Sequence, residues 1–423
     1  MKMPSLGLIK QNFSRPQIKH IPQKISEELE KLCLEKIIRP GHRVAITAGS
    51  RGISQIPTIL KCVVDHLKKL SAQPFIIPAM GSHGGGQAEG QKQILESYGI
   101  TEKSLEAPIL SSMETVVIGE TKEGFPVFLD KIASESDHIA VVARVKPHTA
   151  FHGPIESGLL KMMLIGLGKH NGAKFYHRLL IDQPYDKVVR SVASTMVSNA
   201  PISFGLGIVE NGYDETADIR GVRPEDFISM DETLLKCARD LIPSLPVNKA
   251  DLLIIDRIGK DISGSGMDTN VVGRKRAFRG QPPPPGMPQI RFIHVRELTP
   301  HTFGNATGIG LADFTLTSLV ESMNYQTTVI NCLTAGYPEG AFIPVHFQTD
   351  KEVIEAGLSI IGMKEPHQAR VMRIKDTLHL DEVYISESIL SSLEIGTNFS
   401  EMVSPKPIQF DSDGMLPSFN SGS

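Results

Sequence analysis

The sequence predicts an α/β protein built as two α/β domains with the active site in the cleft between them, and three observations carry that expectation. In the first half, short β-branched runs alternate with longer helical patterns: RVAITA (43–48), IPTILKCVVDHLKKL (56–70) and PFIIPA (74–79) set a βαβ rhythm. At 423 residues and 40% hydrophobic content, the chain has enough apolar surface for more than one core. The rhythm then stops at LIPSLPVNKA (241–250), where two prolines interrupt it, and restarts as a buried strand at DLLIID (251–256).

Between those points the pattern predicts a helix at 87–98, strands at TVVIG (115–119) and HIAVVARV (138–145), and a helix at 186–198. The strand SFGLGIVE (203–210) and a helix at 231–241 follow. The second region reads as a smaller α/β unit. It has RFIHV, TTVIN and VMRIK as strands, helices near 312–323 and 351–360, and a polyproline-biased loop, GQPPPPGMPQ (280–289). The domains are therefore set at 1–247 and 248–400, with 401–423, rich in Ser, Pro and Gly, as a loose or domain-crossing tail. No internal repeat is visible.

Lys and Arg total 44 against 47 Asp and Glu, a formal charge of -3, which favours a small-molecule function over nucleic acid or an anionic membrane. No apolar core of signal-peptide length opens the chain, and no run of 18 apolar residues occurs, so a cytoplasmic location is expected. Cys33, Cys62, Cys237 and Cys332 are scattered without a C-x-x-C, which argues against a disulfide framework or a structural zinc site.

Four segments gather charged or imidazole side chains among glycines just after expected strands, where α/β folds usually bind ligands. Arg51, in AITAGSRGISQIP, follows a strand and precedes a helix; its fork of donors suits a carboxylate or phosphate, although a surface arginine capping a loop is the plainer account. MGSHGGG (80–86) lets backbone approach a ligand closely and holds His83, which titrates near neutrality; alone, such a loop is often only a turn.

The third segment, VKPHTAFHGPIESGLLKMMLIGLGKHNGAKFYHR (145–178), concentrates four of the chain's 14 histidines, His148, His152, His170 and His177, around Lys161 in an apolar run. Each singly has an ordinary structural explanation; the cluster as a unit favours function. On one continuous helix Lys161 and His177 would lie about 160° apart. Gly166, Gly168 and Gly172 supply the breaks that bring them together. The spacings do not fit H-E-x-x-H, so a hydrolytic zinc site is not expected. The fourth segment, 256–280, carries Arg274, Lys275, Arg276 and Arg279 after a Gly/Ser/Asp/Asn loop, a cluster suited to an acidic small molecule, a phosphate or RNA; the absence of interleaved aromatics lowers the RNA reading, and a solvated charge run is the plainer account of any one of them.

Taken in order, these segments resemble the lactate racemase family, whose members use a nickel-pincer nucleotide. Arg51 matches the arginine of that family's D-x-x-R loop, with Ala48 at the aspartate position, and His83 matches the histidine of its T-G-x-H loop. PH148 followed by SGLLK161, with His177 sixteen residues beyond the lysine, matches P-H, S-G-G-x-K and the nickel-ligating histidine. The interval from His148 to Lys161 is about three residues longer than the pattern, which makes His152 a rival to His148. GMDTNVVGRKR resembles P-L-D-x-N-x-Y-Q-x-x-K at Asp268 and Asn270, but Val272 and Gly273 replace Tyr-Gln and Arg276 replaces the lysine.

The resemblance implies a racemase or epimerase of a 2-hydroxy acid, an isomerase acting by hydride abstraction and return on a pyridinium-3,5-bisthiocarboxylic acid mononucleotide that carries nickel. Lys161 would hold that cofactor as a thioamide and His177 would ligate the metal, with Ser82, Gly84, Ser157 and Gly158 contacting the cofactor within the first domain. His83 and either His148 or His152 would be the paired bases, and Arg51 would bind the substrate carboxylate. Arg274 and Arg276 suggest a second carboxylate or a polyhydroxylated acid. Cofactor-synthesis proteins are implied partners, and a homo-oligomer is left open. Two alternatives remain: a non-catalytic carrier or sensor of the cofactor, and a nickel-independent enzyme binding a phosphate or nucleotide sugar through GSHGGG.

Overall fold

The computed structural model describes residues 1–50, 52–275 and 284–419. They form two compact units, residues 14–242 and residues 1–13 with 243–423, so the chain's first strand belongs with its second half. The division expected at 247 had placed those first residues in the N-terminal domain. Their register explains the difference: β1 (Ser5–Gln11) hydrogen-bonds antiparallel to two strands near the C-terminus.

Unit 14–242 holds β2 (Arg43–Ala48), β3 (Gln73–Pro78), β4 (Thr115–Glu120), β5 (Pro126–Asp130), β6 (His138–Arg144), β7 (Ile202–Glu210) and β8 (Thr216–Val222). Five of these make a sheet in the order β3-β2-β6-β7-β8, parallel except for β8; β4 and β5 form a separate hairpin. The chain leaves β2 towards β3 and returns on the other side of β2 as β6. That places the topological switch point between the C-terminal ends of β2 and β6.

The helix Ile56–Lys69 buries Ile56, Ile59, Leu60, Val63, Val64 and Leu67, one apolar stripe at helical spacing, against this sheet. Burying each such side chain is worth roughly 1.5–3 kcal/mol before entropy is counted. On β7 the glycines of SFGLGIVE have a packing cause. A Cβ on Gly205 would lie 2.9 Å from Phe227 and one on Gly207 2.4 Å from Leu234, so small residues let the helix Phe227–Leu241 lie close.

The other unit holds β1 with β9 (Lys249–Ile258), β10 (Gln289–Leu298), β11 (Phe314–Leu316), β12 (Val345–Phe347), β13 (Val371–Ile374), β14 (Glu382–Ser386) and β15 (Phe399–Pro407). They make one sheet in the order β12-β11-β10-β9-β13-β14-β1-β15. Three expectations are corrected here. The helix expected at 312–323 is strand β11 followed by a short helix, Thr317–Ser322. TTVIN lies in a helix, Tyr325–Thr334: Asn324 caps it by accepting the Thr327 N–H, and buried Thr328 accepts the Ala306 N–H, which together override the β-branched propensity. The tail is not loose at its start, because β15 pairs with β1 as an edge strand that tolerates Pro405 and Pro407.

Buried charge in this unit is internally compensated. Arg296 grips Asp350 through Nε and Nη2, His294 Nε2 lies 2.9 Å from the same carboxylate, and Arg373 grips Asp256. The two basic partners hold the Asp350 carboxyl at about 2, against the opposing effect of its burial.

Candidate functional site

Three loops leave the C-terminal ends of β2, β3 and β6 and carry most of the imidazoles singled out above. The first, after β2, contains Ser50, whose Oγ contacts His83 Nδ1 on the second loop; Tyr98 Oη donates to the Ser50 carbonyl at 3.0 Å. Arg51 lies outside the described residues, as does Arg276. His83 is exposed, Ser82 is half-buried, and Gln91 Nε2 ties the loop by donating to the carbonyls of Gly81 (3.0 Å) and His83 (3.2 Å). Gly84, at φ +64°, must be glycine: a Cβ there would lie 2.6 Å from the Gln91 nitrogen.

This second loop rests on the segment that bears Lys161. A Cβ on Gly81 would meet Ile165 at 2.9 Å, one on Gly166 would meet the Ala79 carbonyl at 2.8 Å, and one on Gly86 would meet His170 Nδ1 at 3.2 Å. The glycines are what let the two pieces of backbone approach.

The Lys161 segment is not one helix. A single turn, Leu159–Lys161, runs into a π-helical turn, Met162–Leu167; Gly168 and left-handed Lys169 (φ 51°) follow, and a new helix spans Lys169–Asp182. Such wide turns recur at functional sites. The break predicted from the glycines is therefore real, and it falls at Gly168–Lys169, while Gly172 sits inside the second helix against Phe128 and Tyr176. His177 is on that helix and partly open to solvent, yet enough protein surrounds its ring to push the imidazole pKa below its ordinary value; the Lys161 cation is the second cause.

The turn that presents Lys161 begins at Ser157 and Gly158. Asp231, from the helix Phe227–Leu241, accepts the N–H groups of Leu159 and Leu160 at 2.9 Å each. A Cβ on Gly158 would lie 2.3 Å from that carboxylate, so Gly158 makes room for the cap. With no cation among the causes acting on it, burial pushes the Asp231 pKa up to about 6 against the two N–H groups that oppose it.

The third loop, after β6, closes on itself where the Lys146 N–H donates to the Ser157 carbonyl at 3.2 Å. Inside it, buried Glu156 accepts the His148 N–H (2.6 Å) and the Gly153 N–H (3.3 Å). It also meets Arg239 Nη2 (2.7 Å) and His152 Nδ1 (3.2 Å). The half-buried ring of His148 stacks on Phe151, which stacks on Tyr185. Glu156, Asp231 and Ser50 were missed in the sequence; the only local signal for any of them is that Glu156 lies four residues after His152.

Arg274 is in the other unit and already engaged. Its guanidinium spans both oxygens of Asp313 (2.6 and 3.3 Å) and two backbone carbonyls, the work of a structural clamp rather than of a substrate ligand. Beside it, buried Lys275 donates to Asn270 Oδ1 at 3.0 Å, and Asn270 donates to Asp268, so the residues resembling the D-x-N loop are hydrogen-bonded together. Two surface cavities, of about 470 and 380 Å³, lie at the N-terminal edges of the strands, away from the imidazole-bearing loops. Among the described residues no helix is long and apolar enough to cross a membrane.

Comparison with known proteins converges on the region just described. No curated protein matches the sequence. The structure is similar to that of the lactate racemase apoprotein from Thermoanaerobacterium thermosaccharolyticum, with a TM-score of 0.52 at 13% identity over 86% of this chain and 93% of that one, a likeness of fold. Residues 5–188 match the family description "Lactate racemase N-terminal domain", a span that includes all three loops, Lys161 and His177, so this part of the chain is similar to that family's N-terminal domain.

Proposed function

We propose that the chain is a racemase or epimerase of a 2-hydroxy acid that works with a nickel-pincer nucleotide. What supports this reading is the similarity of residues 5–188 to the lactate racemase N-terminal domain, together with the π-helical turn that follows Lys161 and packs against the glycine loop carrying His83. A cofactor with its own sulfur donors needs one amine for attachment and one imidazole for its metal. The residues fit: Lys161 would hold it and His177, its imidazole kept neutral, would ligate the nickel. In the His83 loop, Gly85 has nothing within 4 Å of where a Cβ would stand, which leaves room for a ligand against the backbone. Among the described residues no group of three or more His, Cys, Asp or Glu side chains is arranged to hold a metal, which suits a metal that arrives with most of its donors.

When bound, the group supplies hydride acceptance and return at its pyridinium ring. The protein's part is to hold the substrate carboxylate, for which Arg51 offers a guanidinium fork, and to move the hydroxyl proton at imidazole nitrogens of His83 and the third loop. A proton moved by a positioned base is worth typically 10²–10⁴ in rate.

The test is production of the chain together with cofactor-synthesis proteins, followed by nickel analysis, intact mass, and a chiral assay on 2-hydroxy acids from diacids to sugar acids. Stoichiometric nickel, a mass increment on the peptide containing Lys161, and racemisation are expected. No nickel and no increment would sink the reading; both without racemisation would make the chain a carrier or sensor.

A further inference from the structure

The cavity of about 470 Å³ at the N-terminal edge of β9, β10 and β13 gathers cations that no feature described so far uses. We infer that it is a binding site for a small organic phosphate, a phosphorylated sugar or polyol rather than a nucleotide. This goes beyond the racemase reading and does not rest on it, because none of the three imidazole-bearing loops contributes to the lining.

The strand register builds the cavity. On the parallel pair β9 and β10, Lys249 lies opposite Gln289 and Ala250 opposite Ile290, so the alternation of strand side chains puts Lys249, Asp251, Gln289 and Arg291 on one face. Arg370, the residue before β13, comes in from the other side of β9: its N–H donates to Asp251 Oδ2 at 2.8 Å and its Nε to the Lys249 carbonyl at 3.0 Å. Lys364 Nζ donates to the same Asp251 oxygen at 2.6 Å. The lining therefore holds the cations of Lys249, Arg291, Lys364 and Arg370 against the single carboxylate of Asp251. On a chain whose formal charge is -3, that is a local reversal of sign.

The carboxylate is consumed and the cations are not. Buried Asp251 is engaged by Lys364 and the Arg370 backbone, whereas the exposed side chains of Lys249 and Arg291 have no hydrogen bond or ion pair among the described residues. The second cavity, of about 380 Å³, shows the contrast. Its Lys68 donates to the Glu106 carbonyl at 2.6 Å and lies 3.7 Å from the Glu106 carboxylate, and its Arg43 guanidinium lies over the Phe75 ring. Cations left around one volume repel each other and concentrate counter-anions there. Two guanidinium forks, Arg291 and Arg370, with the Lys249 ammonium suit the terminal oxygens of a phosphate monoester. The volume falls within the roughly 300–1,000 Å³ of small-molecule sites, leaving room for an organic body beside the Gln289 amide. Among the described residues no aromatic side chain lines the cavity, so a nucleobase would find no stacking platform.

The experiment is calorimetric titration of the full chain, at fixed ionic strength, with inorganic phosphate, glycerol 3-phosphate and glucose 6-phosphate, and with glycerol and glucose as uncharged controls. Saturable binding of the phosphates is expected, at least one ester binding more tightly than inorganic phosphate, with no heat from the controls. Arg291→Ala should weaken binding by at least about 10-fold, the loss of one charge-assisted contact. Lys249→Glu should weaken it further, and Lys249→Arg should retain it. Neither side chain holds the fold together, so these variants should unfold in urea as the wild type does, and the Lys249 pair decides the matter if Arg291→Ala fails to fold. No saturable binding, or undiminished binding in Arg291→Ala and Lys249→Glu, overturns the proposal. Inorganic phosphate binding as tightly as both esters overturns the organic ligand. Tighter binding of single-stranded RNA or of vesicles containing phosphatidic acid, abolished by the same substitutions, overturns the small-molecule assignment.

Discussion

Lys161 and Lys169 lie eight residues apart, at the two ends of one apolar run, and the structure treats them in opposite ways. Lys169 is fully buried: its ammonium donates to the Pro78 carbonyl at 2.6 Å and lies 2.9 Å from Asp130, also buried. Burial pushes its pKa down and the Asp130 carboxylate opposes that shift. Lys161 is only half-buried and sits on the other side of the π-helical turn, within electrostatic reach of His177. The lysine whose burial needs a structural explanation is therefore Lys169, and the lysine proposed for cofactor attachment is the more accessible one. A buried amine consumed by a carboxylate fastens the fold, whereas an attachment site must be reachable.

The largest test of that contrast is Lys169→Ala. It leaves Asp130 buried without its cation, and breaking one side of a buried pair costs about 3–5 kcal/mol. Urea unfolding should show that loss, and a double-mutant cycle with Asp130→Ala should recover much of it. A Lys169→Ala protein within 1 kcal/mol of wild type would break the comparison and make Lys169 a second candidate for chemistry.

A smaller effect sharpens the Lys161 side. Asp231 caps the turn beneath Lys161, and its pKa is pushed from 3.8 up to about 6. A group whose folded pKa is raised binds its proton more tightly in the folded chain. Its stabilisation is complete below about pH 4 and is lost as the pH rises through about 6, by roughly 3 kcal/mol at 1.36 kcal/mol per unit. Asp231→Asn should flatten that part of the stability profile between pH 4 and 6, measured by urea unfolding at each pH. Asp350 in the other unit has the opposite sign: held at about 2 by His294 and Arg296, it stabilises above about pH 4 and is lost as the pH falls towards 2. An unchanged slope in Asp231→Asn would mean that the cap beneath Lys161 is not under electrostatic load.

The sequence showed the parallel strands and their helices closely, because RVAITA, PFIIPA and SFGLGIVE are buried on both faces and read as near-continuous apolar runs. It did not show β1, β8, β14 or β15. The exposed edge strand β15 carries almost no apolar periodicity, and β1 takes its place only through partners nearly 400 residues away. The glycines around Lys161 announced a break but not its kind, since a π-helical turn depends on packing that no local pattern encodes. Of the site, the histidines and Lys161 were legible as a cluster. Glu156 and Asp231 were not, because a carboxylate's role depends on which N–H groups the fold aims at it. Arg274 misled for the same reason: its partner Asp313 is 39 residues away.

The smallest expected effect is also the most discriminating. Lys161→Met keeps the side-chain stem and removes only the amine, so at a half-buried position it should change stability by no more than about 0.5 kcal/mol. The same variant, produced with cofactor-synthesis proteins, should lose the mass increment on its peptide. Lys169→Met, if it folds, should keep the increment while losing stability. That crossed result, one lysine silent in unfolding and decisive in labelling, its neighbour the reverse, is what the proposed attachment at Lys161 and the burial of Lys169 together predict. A Lys161→Met protein that unfolds as readily as Lys169→Ala would instead place both amines in the scaffold and leave the apolar run without an attachment site.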